Sequence, residues 1–550
     1  MKSMSCLWPR VRRLVGGAQL RVQGGRCACR YLSWFLKTVL LTNLLTLNAK
    51  LSAEEERFRL LPSVLGSYSW PITTSEPLAQ AYFDQGMQLR YGYSMRDAAR
   101  SMAEARKIDP DCAMCFWGEA LALGSFLNRK MTTDNAVLAH KAITRAAELT
   151  DGLPALEAEL IHAAILRYPK DFDPENRRTV DKAFAEAMAK VHAKYPEHTE
   201  VATVYGIALF LLEERRGYRE MTDPNLKKLH SILLGVIDVN PAHPGACHLY
   251  IHATESTAQP ELGLPCAEQL GASIPGASHI QHMPSHIWNE VGLWNRSVQA
   301  NMQAQRVDDA ALRKEGFSYG RSHNLHMLLF AASFDGQGEV AIAAGDDYDE
   351  LTGNPMYALL TRIRFGKFEE VLHYGKRPEA ERDAAFYDFA MGYAALRTGN
   401  ESDAVARRDA LLAYAESTED RFRYHDAGTL VKVLANLLSG EIRRSQGNLP
   451  EAILYFREAV LLEDSLDYDE PEPFPFAARH WLGAALLEAD RLMEAELTYR
   501  AELSDHPHNG WSLLGLQQAI SAQEKSDQKT DLDFAASWER ADIEISASRF

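Results

Sequence analysis

The sequence predicts an all-α protein built as a solenoid of helical hairpins. Gly86, Ala98, Met102, Ala105 and Pro110 place a small residue in a first helix, small and bulky residues in a second helix, and a closing proline. Small residues let the two helices approach closely, and proline ends the second helix. No comparable stretch alternates as a β-strand does. These spacings are typical of tetratricopeptide (TPR) repeats, whose hairpins stack into a right-handed superhelix.

The same spacing recurs in the C-terminal half of the chain. The copies are Gly440, Gly447, Ala452, Phe456 and Ala459, then Leu482, Gly483, Leu486, Ala495, Tyr499 and Pro507, and a weaker one with Gly392, Gly399 and Ala404. Helices with looser spacing are predicted at Pro154–Arg167, Asn176–Lys194, Glu200–Glu214 and Asn225–Val239. A loop at 522–530 and a capping helix at Asp533–Ser546 end the predicted array.

The first 53 residues are predicted to be a targeting segment outside the fold. They hold nine Lys or Arg and no Asp or Glu, and an apolar stretch at 39–47 precedes small residues near Ala53. A basic region, a short apolar region and small residues describe a secretory signal, which predicts export to the periplasm or the medium. A mitochondrial transit peptide is the alternative. The apolar stretch is too short to span a bilayer.

The remaining chain is expected to form one continuous array, because no long linker divides it. We expect a linker at 54–77, N-terminal TPR-like repeats at 78–241, histidine-rich repeats with a metal site at 242–345, and C-terminal repeats with the capping helix at 346–550. No segment after residue 53 is apolar enough to predict a membrane span.

The charge of the chain restricts its partners. Without the first 53 residues, 50 basic residues stand against 75 acidic ones. Such a surface repels phosphate backbones, so nucleic acid is not expected as a partner. A small-molecule or peptide ligand in the groove, or a protein partner, remains open.

Four cysteines follow the targeting segment, which is too few for a disulfide framework. Cys112 and Cys115 form a lone CxxC pair at the start of a predicted helix. A buried pair or a local disulfide is the first interpretation, and a redox or metal role is the alternative.

Histidines are concentrated in one part of the chain. Eight of the 18 lie between positions 243 and 326: His243, His248, His252, His279, His282, His286, His323 and His326. His248 and His282 are 34 residues apart, as are His252 and His286, which is one TPR length. When Gly336 is taken as the turn glycine of the third repeat, His326 has the same position within its repeat as His248 and His282 have in theirs. Residues three and four apart share one face of a helix, and in TPR solenoids this face lines the concave groove.

Imidazoles on the groove face of neighbouring helices can converge on one or two metal ions. The predicted ligands are His248, His252, His282, His286 and His326, followed by His279 and His323, with Glu255 as a ligand or a general base. The predicted positioning groups are His243, which can also cap its helix, and Tyr250, Asn324 and Asn289. Pro284 is able to restart the helix there, which would leave His279 and His282 on an entry loop.

This donor set suits Cu, Zn, Fe, Mn or Ni without distinguishing among them, and it disfavours Ca and Mg. The predicted function is a TPR-fold metalloprotein, a metal-dependent oxidoreductase or hydrolase, because imidazoles on an open face leave coordination positions free. The alternative is a non-catalytic scaffold that binds a peptide or a protein partner in the groove, where clustered imidazoles would titrate near neutral pH.

The chain resembles a large, mostly bacterial family of TPR proteins from about residue 78 to its end. The matching motifs are Ala81–Gly86, Asp111–Ala120, His243–Glu255, Pro275–His286, His323–His326, Asn509–Trp511 and Ala547–Phe550. The resemblance implies an exported or soluble repeat protein and assigns no reaction. The chain differs from the family at Ser94-Met95, where relatives often have Asn-His, and at Leu211–Gly217, where they often have aromatic residues.

Overall fold

Helical hairpins make up nearly all of the chain that the computed structural model describes, residues 57–213 and 217–550. The predicted targeting segment lies outside the described residues. Residues 59–550 form one compact unit, and residues 1–58 are assigned to another. In the described part of the chain, no helix combines the length and the apolar character that crossing a bilayer requires.

The N-terminal helices form hairpins in sequence order. They are α1 (Pro77–Tyr91), α2 (Met95–Ile108), α3 (Ala113–Leu123), α4 (Thr133–Glu148), α5 (Ala155–Ile165), α6 (Arg177–Lys194), α7 (Thr199–Phe210) and α8 (Pro224–Val239). Short 3₁₀ turns lie at Pro62–Val64 and Pro174–Asn176. The looser helices of this region are thus confirmed, with ends that differ from the predicted ones by a few residues.

The histidine-rich region contains two short helices, α11 (Ser278–His282) and α12 (Pro284–Glu290), among longer ones. The longer ones are α9 (Pro244–Thr254), α10 (Leu264–Ser273), α13 (Trp294–Leu312), α14 (Arg321–Phe334) and α15 (Gly338–Thr352), with a 3₁₀ turn at Pro260–Gly263. A new helix starts at Pro284, because proline is well tolerated in the first turn of a helix. His279 and His282 lie on the short helix α11 and not on a loop.

The C-terminal region continues the array of hairpins. Its helices are α16 (Met356–Arg364), α17 (Phe368–Leu372), α18 (Glu381–Arg397), α19 (Glu401–Ser417), α20 (Ala427–Ser445), α21 (Leu449–Asp464), α22 (Ala478–Glu488), α23 (Leu492–Asp505), α24 (Gly510–Ala522) and α25 (Gln528–Ser537). The strands β1 (Arg421–Phe422) and β2 (His425–Asp426) pair antiparallel before α20.

Small residues allow close helix packing, as the repeat pattern predicts. A methyl group on Gly86 or on Gly118 would lie 2.6 Å from the side chain of Met102. Gly440 packs in the same way against Phe456, which is fully buried. The all-α, TPR-like hairpin fold is therefore confirmed.

Contacts between distant repeats close the array around the histidine-rich region. The indole Nε1 of Trp294 donates to the carbonyl of Pro507 at 2.9 Å, and that of Trp511 donates to the carbonyl of Ser333 at 2.9 Å. The segment 465–477 between α21 and α22 brings Glu470 next to the histidines of α9 and α12. Segments that are far apart in the sequence thus build one region.

Three features of the fold differ from the predicted organisation. Residues 59–76, expected within a linker, lie against α1, where Gln88 and Asp84 accept hydrogen bonds from the amides of Gly66 and Trp70 at 2.8 and 3.0 Å. The last helix, α25, starts before the predicted capping helix because the side chain of Asp527 caps its first turn, and it ends at Ser537. A disulfide between Cys247 and Cys266 was not predicted, whereas the disulfide between Cys112 and Cys115 is the local one expected from the CxxC pair.

Candidate metal centre

Three buried histidines form a first group on α9 and α11. His248 and His252 are one helical turn apart on α9, and His279 faces them from α11. The Nε2 atoms of His248 and His279 are 3.2 Å apart. The Nδ1 of His248 donates to the backbone carbonyl of Tyr91, which fixes the ring and turns its Nε2 toward the group. This cluster is the first three-histidine group.

Three further histidines form a second group beside it. His282 and His286 have their Nε2 atoms 3.1 Å apart, and His323 from α14 lies with its ring centroid 4.6 Å from that of His282. One ligand nitrogen from each of the three lies within 4.8 Å of the others, as in the first group. The two groups are neighbours, because the ring centroids of His279 and His282 are 5.1 Å apart. This cluster is the second three-histidine group.

Glu255 connects the two groups. One carboxylate oxygen accepts from the Nδ1 of His252 at 2.8 Å, and the other accepts from the Nδ1 of His286. Both rings therefore keep Nε2 for another partner, and that of His252 has no hydrogen-bond partner among the described residues. Because both of its oxygens are engaged, Glu255 is placed to position two imidazoles.

Glu470 approaches the same pair of rings from the segment 465–477. Its Oε2 lies 3.3 Å from the Nδ1 of His286 and 3.9 Å from the Nδ1 of His252. His252, Glu255, His286 and Glu470 thus make a third, overlapping group of donor atoms within 4.8 Å of one another. Glu470 belongs to a different repeat, far along the chain from His252, so no local motif indicates it.

Burial and mutual repulsion keep most of these imidazoles neutral. Burial, followed by neighbouring imidazoles, lowers the pKa of His248, His279 and His282 well below its ordinary value. Burial also lowers the pKa of His323, with His282 adding to it. A neutral imidazole has a free lone pair, which is the form that binds metal ions.

His286 and Glu255 differ from their neighbours. Burial opposes the charge of His286, but Glu255 and Glu470 outweigh it and raise its pKa to about 10. Burial and the nearby Glu470 favour the neutral acid at Glu255, yet His286 and His252 hold its pKa below the ordinary value. With no metal ion bound, these two residues form a buried ion pair at neutral pH, and a metal ion on Nε2 of His286 would displace the proton there.

Tyr93 forms one wall of the first group and was not predicted. Its ring centroid lies 4.2, 5.9 and 5.2 Å from those of His248, His252 and His279. Its backbone has a φ of 55°, a left-handed conformation that is uncommon for an aromatic residue. This strained turn directs the ring toward the three histidines.

The structure does not bring His326 into the two groups. Its Nδ1 accepts from a guanidinium N–H of Arg423, and its ring stacks on that of Tyr357 with the centroids 4.2 Å apart. Arg423 also donates to both carboxylate oxygens of Asp469, at 2.7 and 2.8 Å. Arg423 thus engages one of the two ring nitrogens of His326, and His326 is in none of the three groups of donor atoms.

The predicted positioning groups have other contacts. His243 caps α9 by accepting from the amide of Ala246 at 3.1 Å, and its Nε2 lies 2.8 Å from Oε1 of Glu200. The remaining contacts are Tyr250 against the ring of His230 at 5.0 Å, Asn324 donating to Asp308 at 2.9 Å, and Asn289 with its amide 3.8 Å from the sulfur of Met327. Asn289 also lines the cavity next to His286.

Several solved structures are similar to this chain, all at low scores. They include the human IFIT1 dimer with m7Gppp-AAAA, at 10% identity and a TM-score of 0.31, which covers 83% of this chain and 95% of that chain. The TPR domain of P58(IPK) has 11% identity, a TM-score of 0.22, and coverage of 81% and 98%. The APC/C hetero-tetramer Cut9-Hcn1 has 12% identity, a TM-score of 0.30, and coverage of 84% and 76%.

TM-scores this low do not indicate what this chain binds or does. No protein-family profile matches the chain, and no curated protein matches it in sequence. The specific bacterial family therefore stays a prediction, and the candidate metal centre is judged on its own geometry.

Proposed function

We propose that the chain is a TPR-fold metalloprotein whose two three-histidine groups hold one or two transition-metal ions. The observation that carries this proposal is the pair of close Nε2 contacts, 3.2 Å in the first group and 3.1 Å in the second. Two nitrogens on one tetrahedral ion, each at about 2.0–2.1 Å, are about 3.3 Å apart. The imidazoles are thus spaced almost as ligands of one ion are.

Hydrogen bonding supports the same proposal. Positioned histidine ligands usually donate their second nitrogen to a carbonyl or carboxylate, and here Tyr91, Glu255 and Glu470 approach the Nδ1 atoms of three of the histidines. The buried Nε2 of His252 has no other partner among the described residues, and an unpaired buried nitrogen is costly. A bound ion would remove this cost.

We propose a metal-dependent enzyme, an oxidoreductase or a hydrolase. Three imidazoles leave a coordination position open, and a bound ion there would activate water or exchange electrons. His286 and Glu470 both line a cavity of about 480 Å³, which gives a small molecule access to the second group. Glu470 and Glu255 would both hold the ring of His286 through its Nδ1, which leaves its Nε2 for the ion. Cu, Zn, Fe and Mn all suit these donors.

Two observations bear on the environment and on the alternative function. The disulfides Cys112–Cys115 and Cys247–Cys266 are compatible with an oxidising compartment, which supports the proposed export. The segment 465–477 places Glu470 against His286, so the groove is covered at the level of the histidines. A scaffold that holds an extended peptide at this level is less compatible with that cover.

Metal analysis of purified protein tests the proposal. The wild type is compared with the variant His282→Ala/His286→Ala and with the control His373→Ala, whose side chain is exposed on the protein surface. We expect one or two transition-metal ions per wild-type chain and per control chain, and a loss of at least one ion in the double variant. Equal and negligible metal in all three proteins would leave only the alternative function, a non-catalytic scaffold that binds a partner in the groove.

A further inference from the structure

The cavity next to the second three-histidine group is strongly acidic. We call it the acidic cavity; it has a volume of about 480 Å³ and lies between α12, the segment 465–477 and the end of α23. Carboxylates dominate its wall, and Arg479 is the only Lys or Arg among the described residues that line it. Its polar character is thus set by negative charge.

Much of this charge is balanced within the wall, but not all of it. Arg479 is shared between Asp464 and Asp505 at 2.8 and 3.3 Å. The imidazole of His506 lies between Glu472 and Glu502, at 3.3 and 2.8 Å. These pairs account for four of the carboxylates.

Glu290 lacks such a partner. Among the described residues, no cationic nitrogen lies within 4.0 Å of its carboxylate, and burial with the nearby Glu472 raises its pKa to about 8. A carboxyl with a raised pKa and no cation close by gains from a positive charge that enters the cavity.

Two buried acceptor atoms on the wall also have no donor among the described residues. They are Oε2 of Glu502, a residue with no exposed surface, and Oδ1 of Asn289, a residue that is 6% exposed. An acceptor that is removed from water without a hydrogen bond destabilises the fold. The missing group is therefore a hydrogen-bond donor, and the surrounding charge makes it a cationic one.

Aromatic side chains complete the wall and decide between two kinds of cation. Trp294, Phe330 and Phe474 line the cavity together with the carboxylates. A bare metal ion is bound by oxygen atoms and waters and gains nothing from aromatic rings. An organic ammonium ion gains from both, because its charge interacts with the ring faces and its carbon chain with their apolar surface.

We propose that the acidic cavity binds a small-molecule amine through its ammonium group. If the metal centre proposed above is present, the carbon next to the ammonium lies toward His286 and Glu470, so an organic amine is the substrate class of the centre. Amine binding rests on the proposed function only where the amine is named as a substrate of the metal centre. The cavity and its unpaired acceptors are present without any ion.

Calorimetric titration of the full-length protein tests this proposal. The probes are 1,4-diaminobutane, the neutral 1,4-butanediol, magnesium chloride and a lysine-rich peptide, each added to metal-free and to metal-loaded protein. We expect the diamine to bind in both states and the diol not to bind. Binding of magnesium or of the peptide without binding of the diamine would overturn the proposal.

Two substitutions locate the binding. Glu290→Gln removes a carboxyl that can ionise beside a bound cation, and Glu502→Gln can replace the unpaired acceptor with an amide donor. Each is expected to weaken diamine binding about tenfold or more, since hydrogen bonds to charged groups contribute about 1.5–3 kcal/mol. Glu350→Gln, which changes an exposed residue of α15, is the control.

Unchanged diamine binding in both cavity variants, with melting temperatures like that of the wild type, would overturn the assignment. If the variants fold poorly, competition by the diol in the wild type gives an independent answer, because displacement of the diamine by a neutral analogue contradicts recognition of charge. Failure of the metal centre alone would show as absent metal with intact diamine binding. Failure of the amine-binding cavity alone would show as bound metal without diamine binding.

Discussion

The variant Glu255→Gln examines how the two three-histidine groups are connected. The carboxylate accepts from His252 at 2.8 Å and also from His286, so it holds one ligand of each group. A glutamine side chain has one acceptor oxygen, so one ring loses its acceptor, and the other ring is held by a neutral amide oxygen in place of a charged carboxylate oxygen. Loss of such a positioning partner lowers metal affinity by about 10–100-fold. We therefore expect weaker binding in both groups, and not in one.

The assay is a chelator competition that follows the two binding steps for a chosen ion, such as Zn²⁺. His279→Ala removes a ligand of the first group only and shows what loss of one step looks like. Glu261→Gln, at an exposed position a little further along the chain, is the matched control. If Glu255→Gln shifts a single step, or leaves both affinities as in the wild type, the carboxylate does not position both groups and the reasoning is refuted.

Three further predictions concern other parts of the structure. His326→Gln should retain the wild-type metal content by elemental analysis, because the ring lies outside both groups; loss of an ion would contradict this. His506→Gln should destabilise the protein in urea more at pH 6 than at pH 10: two carboxylates, outweighing burial, raise the imidazole's pKa well above its ordinary value, so its contribution is complete below about pH 6.5 and is lost as the pH rises through the folded-state pKa. An equal effect at both pH values would count against this pair. Gly515→Ala should destabilise by about 1–3 kcal/mol, because its methyl group would overlap the ring of Tyr499, whereas Gly235→Ala, with open space around it, should stabilise by about 0.5–1 kcal/mol. Urea unfolding measures both, and equal signs would contradict the packing argument.

The fold was predictable because the repeat spacing is local. Gly86 and Met102 lie on consecutive helices and meet within one hairpin, and the same holds for Gly440 and Phe456. The capping helix was misplaced because its start depends on the side chain of Asp527, which lies within the stretch predicted as a loop.

The candidate site was predictable only in its local part. The spacing of His248 and His252 on α9 identifies one face of a helix, and repeat length relates it to His282 and His286. It does not show that His248 and His282 belong to different groups, because this depends on the short helix α11 and on the restart at Pro284.

The remaining parts of the site come from distant segments. Glu470 and Arg423 reach the histidines from regions that share no motif with them, and Arg423 donates to one ring nitrogen of His326. Tyr93 is held in a left-handed turn that residue spacing does not encode. Long-range closure of the array, which periodicity cannot describe, determines these contacts.

Anomalous diffraction from crystals of metal-loaded protein, recorded at the absorption edge of the bound element, tests the central claim most directly. The account predicts an anomalous peak about 2.0–2.2 Å from Nε2 atoms within a three-histidine group, His248, His252 and His279 or His282, His286 and His323. Peaks only elsewhere on the protein, or ordered histidines with water in place of metal at full loading, would contradict it.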